Sequence, residues 1–287
     1  MNLIDIKSKL SSFEYHSDHN IFYLFIQKIY NMIILPIYVY LYNFKYRKDL
    51  KSIKKLKNTK MGPALVMANG PRLKSAIENF KINSPEICDI TSKFAINFYA
   101  LGQELIQIEP NYYVLTDPTE FHNPINSTHK NNLNKLFTKL NERKITCFYP
   151  VNFNIKNLQI KYKNIQFIGF VNIYSPSSKN FSNATKIHGM PTLSAYYSIM
   201  LALHLGYSPI YIAGFDNDSF KTIRRVHNDF NLELNYIHFF GPSTNYLKLK
   251  DSLEHTLKQL SEIFRIHRSL IKRHNIIDLD NNSINPR

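Results

Sequence analysis

The sequence predicts an α/β fold with one parallel sheet flanked by helices, and three observations support this. The chain has 287 residues, 44% of them hydrophobic, which is enough to bury one large core. From residue 63 onwards, apolar runs of strand length alternate with segments of helical length, as in sheets with crossover helices. One such run, residues 64–68, ends directly in Asn69 and Gly70, which is typical of a buried strand that feeds a helix. We therefore expect one main domain, residues 61–287, after an N-terminal segment, residues 1–60.

The N-terminal segment is expected to associate with a membrane. Residues 21–42 are the most hydrophobic stretch and are long enough to span a bilayer, but they include Lys28 and Pro36 and are rich in tyrosine, which prefers the membrane interface. A basic run follows, as expected for a helix on an anionic cytoplasmic leaflet. It consists of Lys45, Arg47, Lys48, Lys51, Lys54, Lys55, Lys57 and Lys60. We favour an interfacial helix, and a true span or a helical hairpin away from the membrane stays open.

Composition predicts a cytoplasmic protein with anionic partners. The formal net charge of +15 attracts nucleic acid, acidic lipid head groups or a phosphate-bearing substrate, and charge alone does not choose among them. Cys88 and Cys147 lack the spacing of a disulfide framework or a zinc site, which favours a reducing compartment. Residues 1–20 are polar and mixed in charge, unlike a secretory signal. We expect a peripheral protein on the inner face of the cytoplasmic membrane.

The elements of the main domain follow from the alternating pattern. The candidate strands are residues 64–68, 87–91, 112–116, 145–149, 165–170, 209–213 and 275–279. The candidate helices are residues 72–80, 98–106, 127–142, 192–205 and 246–271. Residues 172–186 are rich in Ser, Asn and Pro and predict a loop, while residues 217–245 are polar, aromatic and irregular and predict a lid.

Polar residues follow several predicted strands, at the edge where ligands bind in an open parallel sheet. They are Asn69 after the first strand, Lys93 and Asn97 after the second, Asp117 after the third, Asn152 after the fourth, and Gly214 and Asp216 after the sixth. Gly70 can adopt backbone angles that other residues avoid, and Pro71 presets φ for a first helical turn. Amide groups left in that turn would bind an anion. An ordinary strand–turn–helix connection explains the same residues.

Two stretches together resemble a known family. Residues 66–73 have the sequence VMANGPRL, and residues 203–216 have the sequence LHLGYSPIYIAGFD. They resemble bacterial sialyltransferases of the Campylobacter lipooligosaccharide type, which are Rossmann-like glycosyltransferases of a GT-A variant. The resemblance covers roughly residues 63–279. It implies metal-independent, inverting transfer of a nonulosonic acid from a CMP-activated donor to a cell-surface glycan. Pterin pyrophosphokinase-like domains share both stretches.

The resemblance implies donor-binding roles for residues in the first half of the domain. Asn69, Gly70 and Pro71 match the loop that cradles the nucleotide phosphate in the family. Asn97, in the sequence AINFY, resembles a second family asparagine. Asp117 stands in the place of a further asparagine, and this departure matters because a carboxylate cannot supply the N–H donors of an amide.

Donor-binding roles are also implied in the second half. Ser194 matches a family serine that contacts the donor. The adjoining threonine of the family pattern is replaced by Leu193, although Thr192 lies one residue away. Gly214 and Asp216 match the glycine and aspartate with which the corresponding strand ends in the family.

Catalytic roles are implied in the predicted lid. His238, in the sequence YIHFFG, resembles the family's general base. A base is needed because the acceptor hydroxyl must lose its proton as it attacks, and histidine titrates near neutral pH. The tyrosines that hold the leaving phosphate in the family have no counterpart here. Arg224, Arg225 or Tyr236 could donate to that phosphate instead.

Several alternatives stay open. His188 or His227 could be the base, and His238 could be a packing residue. Residues 216–218 spell the D-x-D pattern of metal-dependent transferases, and pyrophosphoryl transfer could use Asp117, Asp216 and Asp218 to hold Mg²⁺. A nucleic-acid-binding protein ranks last, because much of the basic excess lies in residues 45–60 and no RNA-binding signature is present.

The preferred interpretation fixes the expected partners. They are a CMP-sugar donor, an oligosaccharide or lipid-linked glycan acceptor, and an anionic membrane surface. We expect no nucleic acid, and no metal or other cofactor, because the resembling family needs none.

Overall fold

The computed structural model describes the protein in two units, Met1–Arg47 and Lys48–Arg287. The described residues are 33, 35–70, 72–97, 99, 108–116, 127–175, 178–189, 194–215, 223–226, 231–238, 241–248 and 265–280. In the first unit, helix α1 spans Leu35–Lys45. No helix in the described ranges is both long and apolar enough to cross a membrane.

The second unit contains the remaining helices and strands. Its helices are α2 (Leu50–Lys55), α3 (Leu73–Asn83), α4 (Pro85–Ile90), α5 (Ser127–Glu142), α6 (Lys156–Lys161), α7 (Ser194–Leu205) and α8 (residues 265–273). Its strands are β1 (Ala64–Met67), β2 (Ser92–Ile96), β3 (Tyr112–Val114), β4 (Thr146–Pro150), β5 (Gln166–Phe170), β6 (Ile210–Ala213), β7 (Ile223–Val226), β8 (Asn231–His238), β9 (Gly241–Lys248) and β10 (Ile276–Asp278).

Seven strands form one all-parallel sheet in the order β10-β6-β1-β2-β3-β4-β5, which confirms the predicted α/β class with a Rossmann-like parallel sheet. The chain moves outward from β1 to β5 and then returns to place β6 on the other side of β1. β1 and β6 therefore flank the point where the strand order reverses. Ligands bind at the carboxyl edge of such a point in open α/β sheets.

The two faces of the sheet pack against different helices. Leu65 and Met67 of β1 lie in one buried cluster with Leu73 and Phe80 of α3. Val66 points to the opposite face because side chains alternate along a strand. On that face α7 packs against β1, β2 and β3. Burial on both faces explains why β1 is a continuous apolar run rather than an alternating one.

Helix α7 ends in a glycine cap that accounts for the Leu-Gly-Tyr part of the second family-like stretch. Gly206 has a φ of 104°, and the amide of Tyr207 donates to the carbonyl of Ala202 at 3.1 Å. A left-handed glycine with this hydrogen bond is a common way to end a helix. This part of the stretch therefore has a structural explanation independent of any ligand.

The strand predicted at residues 87–91 is wrong. Residues 87–90 belong to helix α4, Pro85–Ile90, which begins with a proline at its first position, and β2 follows at Ser92–Ile96. Cys88 is buried while Ile87 and Ile90 are exposed, so the apolar run is one-sided. A short apolar run fits either a strand or a helix, and Pro85 decides for the helix because its φ is preset for a first turn.

The predictions for residues 217–271 are corrected in part. Residues 246–271 are predicted as one helix, but residues 241–248 form β9, and only residues 265–271 of the predicted range are described as helical. β7, β8 and β9 form an antiparallel sheet, where an irregular segment was expected. His238 is the last residue of β8 and its register partner is Gly241. The function of this sheet as a lid stays a prediction.

Helix α2 is attached to the core of the second unit by a buried histidine. Leu50 and Ile53 are fully buried, and His204 Nε2 donates to the Ile53 carbonyl at 2.9 Å. The other ring nitrogen, Nδ1, accepts from the Ala184 amide at 3.4 Å, so His204 is neutral. Residues 48–60 therefore lie with the sheet, whereas the predicted boundary placed them in the N-terminal segment.

Acid is expected to destabilise the protein through His204. Burial lowers the pKa of His204 below its usual value, outweighing the hydrogen bond to Ile53, which alone would raise it. Because the folded pKa lies below the unfolded value of about 6.5, the stabilisation is present above that pH and is lost as the pH falls below it. Urea midpoints should fall between pH 7 and pH 5 in the wild type and fall less in His204→Gln, whose amide nitrogen can still donate to Ile53.

His274, whose pKa burial also lowers, is retained in both proteins and contributes to the pH dependence of each. The same pH dependence in both proteins would contradict the assignment to His204.

Candidate functional site

The loops after β1 and β6 are joined at the carboxyl edge of the sheet. The Ala68 amide donates to the Ala213 carbonyl at 2.8 Å, and the Gly70 amide donates to the Gly214 carbonyl at 2.9 Å. The ladder between the two strands therefore continues into the predicted anion loop. Because the Gly70 amide donates to Gly214, it is not a free donor for an anion, which is what the sequence predicts for this turn.

Gly214 is required by the close approach of these loops. Its φ is 72°, a left-handed value that favours glycine. A Cβ at this position would lie 2.7 Å from the Ala68 carbonyl oxygen and 3.0 Å from the Leu73 Cβ. Gly214, to which the resemblance gives a donor-binding role, is therefore needed for the loops after β1 and β6 to pack together.

Asp280, which was not among the predicted site residues, fixes the loop after β6. One carboxylate oxygen accepts from the Gly214 amide at 2.9 Å and the other from the Phe215 amide at 2.7 Å. The Asp280 amide in turn donates to the Asp278 carboxylate at 3.0 Å. Two charge-assisted hydrogen bonds hold consecutive amides of the loop in place. Its position just after the last predicted strand, at the same sheet edge, is the signal that could have identified it.

Asn97 and Ser194, both predicted as donor-binding residues, are brought together. Asn97 follows β2 with a φ of 45°, and Ser194 begins α7. Asn97 Nδ2 donates to Ser194 Oγ at 2.8 Å, and the Ser194 hydroxyl is also hydrogen-bonded to the Thr116 hydroxyl. The Asn97 carbonyl accepts from the Tyr113 hydroxyl. The carboxyl ends of β2 and β3 and the start of α7 therefore share one polar cluster, to which the sequence analysis did not assign Thr116.

Two asparagine oxygens at this edge lack a hydrogen-bond donor within the described residues. Asn69 Oδ1 and Asn97 Oδ1 are buried, and neither accepts a hydrogen bond within the described part of the chain. They follow β1 and β2, neighbouring strands whose register pairs Met67 with Ala95. Buried polar groups are hydrogen-bonded as a rule, and leaving one unsatisfied costs about 1–3 kcal/mol. A bound water or ligand that carries hydrogen-bond donors would satisfy such a pair of acceptors.

His188, one of the rival bases, is a core residue. It is fully buried, and its ring meets the Tyr197 ring edge-on with centroids 5.1 Å apart. Its backbone amide donates to the Ile173 carbonyl at 3.0 Å. His188 therefore joins the segment before α7 to the loop after β5 and to α7 itself, which is a structural function.

The remaining predicted site residues lie wholly or partly outside the description. Pro71, Asp117, Thr192 and Asp216 are outside the described residues, as are the rival base His227 and the candidate metal ligand Asp218. For Arg224, Arg225, Tyr236 and His238 only the strands that carry them are described, with Arg225 opposite Glu233 in the register. No group of three or more potential metal ligands occurs within the described ranges. The assigned roles of all these residues stay predictions.

The site has to be interpreted from its own geometry. Comparison of the chain with protein-family models, with curated proteins and with solved structures finds no match. The carboxyl edge offers two amide acceptors without donors, a cluster of two hydroxyls and an amide, and a loop pair fixed by Asp280. This arrangement can bind a polar ligand that carries several hydrogen-bond donors.

Replacing Gly214 by alanine should destabilise the protein more than the same change at Gly62. Both glycines have left-handed φ values, 72° and 89°, so each variant loses about 1–2 kcal/mol to backbone strain. A Cβ at Gly62 would meet no heavy atom of the described chain within 4 Å, whereas one at Gly214 would clash with the Ala68 carbonyl. Urea unfolding of both variants measures the difference. Equal losses would show that the loop pair can separate without cost.

Proposed function

We propose that this protein is a glycosyltransferase that transfers a nonulosonic acid, with inversion, from a CMP-activated donor to a cell-surface glycan. The observation that carries the proposal is the pair of buried acceptors, Asn69 Oδ1 and Asn97 Oδ1, at the edge of a parallel sheet where nucleotides bind. The resemblance of residues 66–73 and 203–216 to sialyltransferases supports the choice of donor.

Cytidine has the donors that these acceptors lack. Its exocyclic amino group donates hydrogen bonds, and its ribose hydroxyls can donate as well. Uracil presents a carbonyl oxygen where cytosine has the amino group, and two facing acceptors cannot bond. We therefore expect the site to bind uridine nucleotides much more weakly than cytidine nucleotides, because an asparagine oxygen of the protein would then stay buried and unpaired.

The hydroxyl cluster would orient the second acceptor. Asn97 Nδ2 is held by Ser194 Oγ at 2.8 Å, which fixes the plane of the amide and the direction of its oxygen. Ser194 is in turn held through the Thr116 hydroxyl and through its place at the start of α7. We assign Ser194 and Thr116 to positioning Asn97, and Asn97 to contact with the nucleotide.

The reaction itself needs a base and donors for the leaving phosphate. In the proposed step, His238 takes the proton of the acceptor hydroxyl as its oxygen attacks the anomeric carbon. The bond from that carbon to the phosphate oxygen breaks, and CMP leaves with the electron pair. Arg224, Arg225 or Tyr236 is proposed to donate hydrogen bonds to the departing phosphate. All four residues lie on the paired strands β7 and β8, so one antiparallel unit would carry the catalytic groups.

The donor-binding part of the proposal is tested with alanine variants. Asn69→Ala and Asn97→Ala should each weaken CMP binding about tenfold, since each removes one hydrogen-bond acceptor worth roughly 1–2 kcal/mol. Titration calorimetry with CMP, UMP and ATP, each with and without Mg²⁺, measures this. Asn111→Ala is the matched control, because Asn111 precedes β3 at the opposite edge, where its side chain accepts from the Lys93 amide at 2.8 Å.

The control variant should lose stability and keep CMP affinity. Absence of CMP binding to the wild type would refute the donor assignment. Binding of ATP in preference to CMP, with a requirement for Mg²⁺, would instead favour pyrophosphoryl transfer.

The catalytic part is tested at His238. His238→Ala should lower kcat about a hundred- to ten-thousand-fold with little change in CMP affinity, because a general base acts in the transition state. The measurement is turnover of a CMP-activated nonulosonic acid with a lipooligosaccharide acceptor. The acidic limb of the kcat/KM profile should vanish in the variant. His227→Ala is the control, and a larger loss there than at position 238 would transfer the role to His227.

A further inference from the structure

Helix α1 carries a row of apolar side chains on its exposed side. Ile37, Tyr40, Leu41 and Phe44 are between 48% and 71% exposed. Their spacing of three and four residues places them on one face of the helix. Ile33, which precedes α1, is 56% exposed as well. Ile37, Tyr40, Leu41 and Phe44 are called the α1 stripe below.

The opposite side of α1 is the packed one. Tyr42 is 7% exposed, and its ring lies 6.0 Å from the Tyr38 ring and 4.7 Å from the Tyr46 ring. At 100° per residue, Tyr42 points away from the middle of the stripe. Aromatic packing therefore accounts for one side of the helix, and the stripe is left to contact something else. An exposed apolar row of this kind typically marks an interaction surface.

Cations lie at the carboxyl end of the stripe. Lys45 and Arg47 are both exposed. The Arg47 guanidinium carbon is 5.2 Å from the centre of the Phe44 ring, and Lys45 Nζ is 5.1 Å from the centre of the Tyr46 ring. The whole chain carries a net charge of +15. Basic side chains beside exposed aromatic and aliphatic ones are complementary to an anionic lipid surface. Aromatic rings insert at the level of the head groups, and the cations are attracted to the lipid phosphates.

We propose that α1 docks in the plane of an anionic lipid surface, with the α1 stripe inserted among the head groups and Lys45 and Arg47 against the lipid phosphates. The in-plane orientation follows from the length of α1, because its 11 residues span about 16 Å, roughly half of the hydrocarbon core of a bilayer. This attachment goes beyond the proposed glycosyl transfer, since none of its residues belongs to the nucleotide site. It would hold the protein at a membrane whatever reaction the sheet supports.

Vesicle flotation of the full chain tests the proposal. The protein is made by cell-free synthesis with vesicles of phosphatidylcholine, with or without phosphatidylglycerol. The wild type should float with the anionic vesicles and partition about tenfold less onto neutral ones, and salt should weaken the binding because it screens the charges. The double variant Ile37→Asn, Phe44→Asn should lower partitioning about tenfold or more. The pair Lys45→Gln, Arg47→Gln should lower it at low salt and have little effect at high salt.

The chain offers a matched control in Ile82→Asn with Ile90→Asn. These isoleucines are 76% and 71% exposed, on α3 and α4, so the control removes similar exposed apolar groups from another surface. It should bind vesicles as the wild type does. CMP affinity is measured on every variant and should be unchanged, so that failure of docking and failure of the proposed function are told apart.

Three outcomes would overturn the proposal. One is equal flotation of the stripe variant and the wild type. Another is retention of both proteins on vesicles after carbonate washing, which would indicate a spanning segment. The third is a change of oligomeric state in the stripe variant with no vesicle binding by the wild type, which would assign the stripe to a second copy of the chain.

Discussion

The pairing of β1 with a parallel neighbour on each side is the constraint on which the rest of the second unit depends. Its four residues are fully buried, so its backbone must be satisfied by β2 and β6. This pairing puts the ends of β1, β2 and β6 at one edge. Asn69, Asn97 and Gly214 lie at that edge because each is among the first residues after its strand, whatever their distance in the sequence.

Much of the sheet could be predicted because double-sided burial leaves a strong pattern. The runs in β1 and β6 are apolar without interruption and are ended by turn residues. The pattern failed where apolar residues were few, as at Ile87, Cys88 and Ile90, which fit a strand or one helical face equally well. It failed again at β9, whose sequence GPSTNYLK has little apolar content to fix a period.

The site was predictable to the extent that its residues follow strands. Asn69 could be found by that rule, and so could the glycine after β6. Asn97 was assigned to the end of a strand predicted at residues 87–91, but the strand that it follows is β2, Ser92–Ile96. Asp280 follows the last predicted strand and fits the same rule, but its hydrogen bonds could not be predicted, because its partners Gly214 and Phe215 lie 66 and 65 residues earlier and no local pattern reports such a bond. Nor could the sequence show that the Gly70 amide is used by the neighbouring loop, since that depends on the register of two distant strands.

Helix α7 connects the polar cluster at the carboxyl edge of the sheet with helix α2. Its 12 residues span about 18 Å, with Ser194 at one end hydrogen-bonded to Asn97 and His204 near the other end hydrogen-bonded to α2. A helix held at both ends cannot slide along its own axis without breaking one of these bonds. The position of Ser194 relative to the Asn97 amide therefore depends partly on His204, a neutral core histidine near the other end of the same helix.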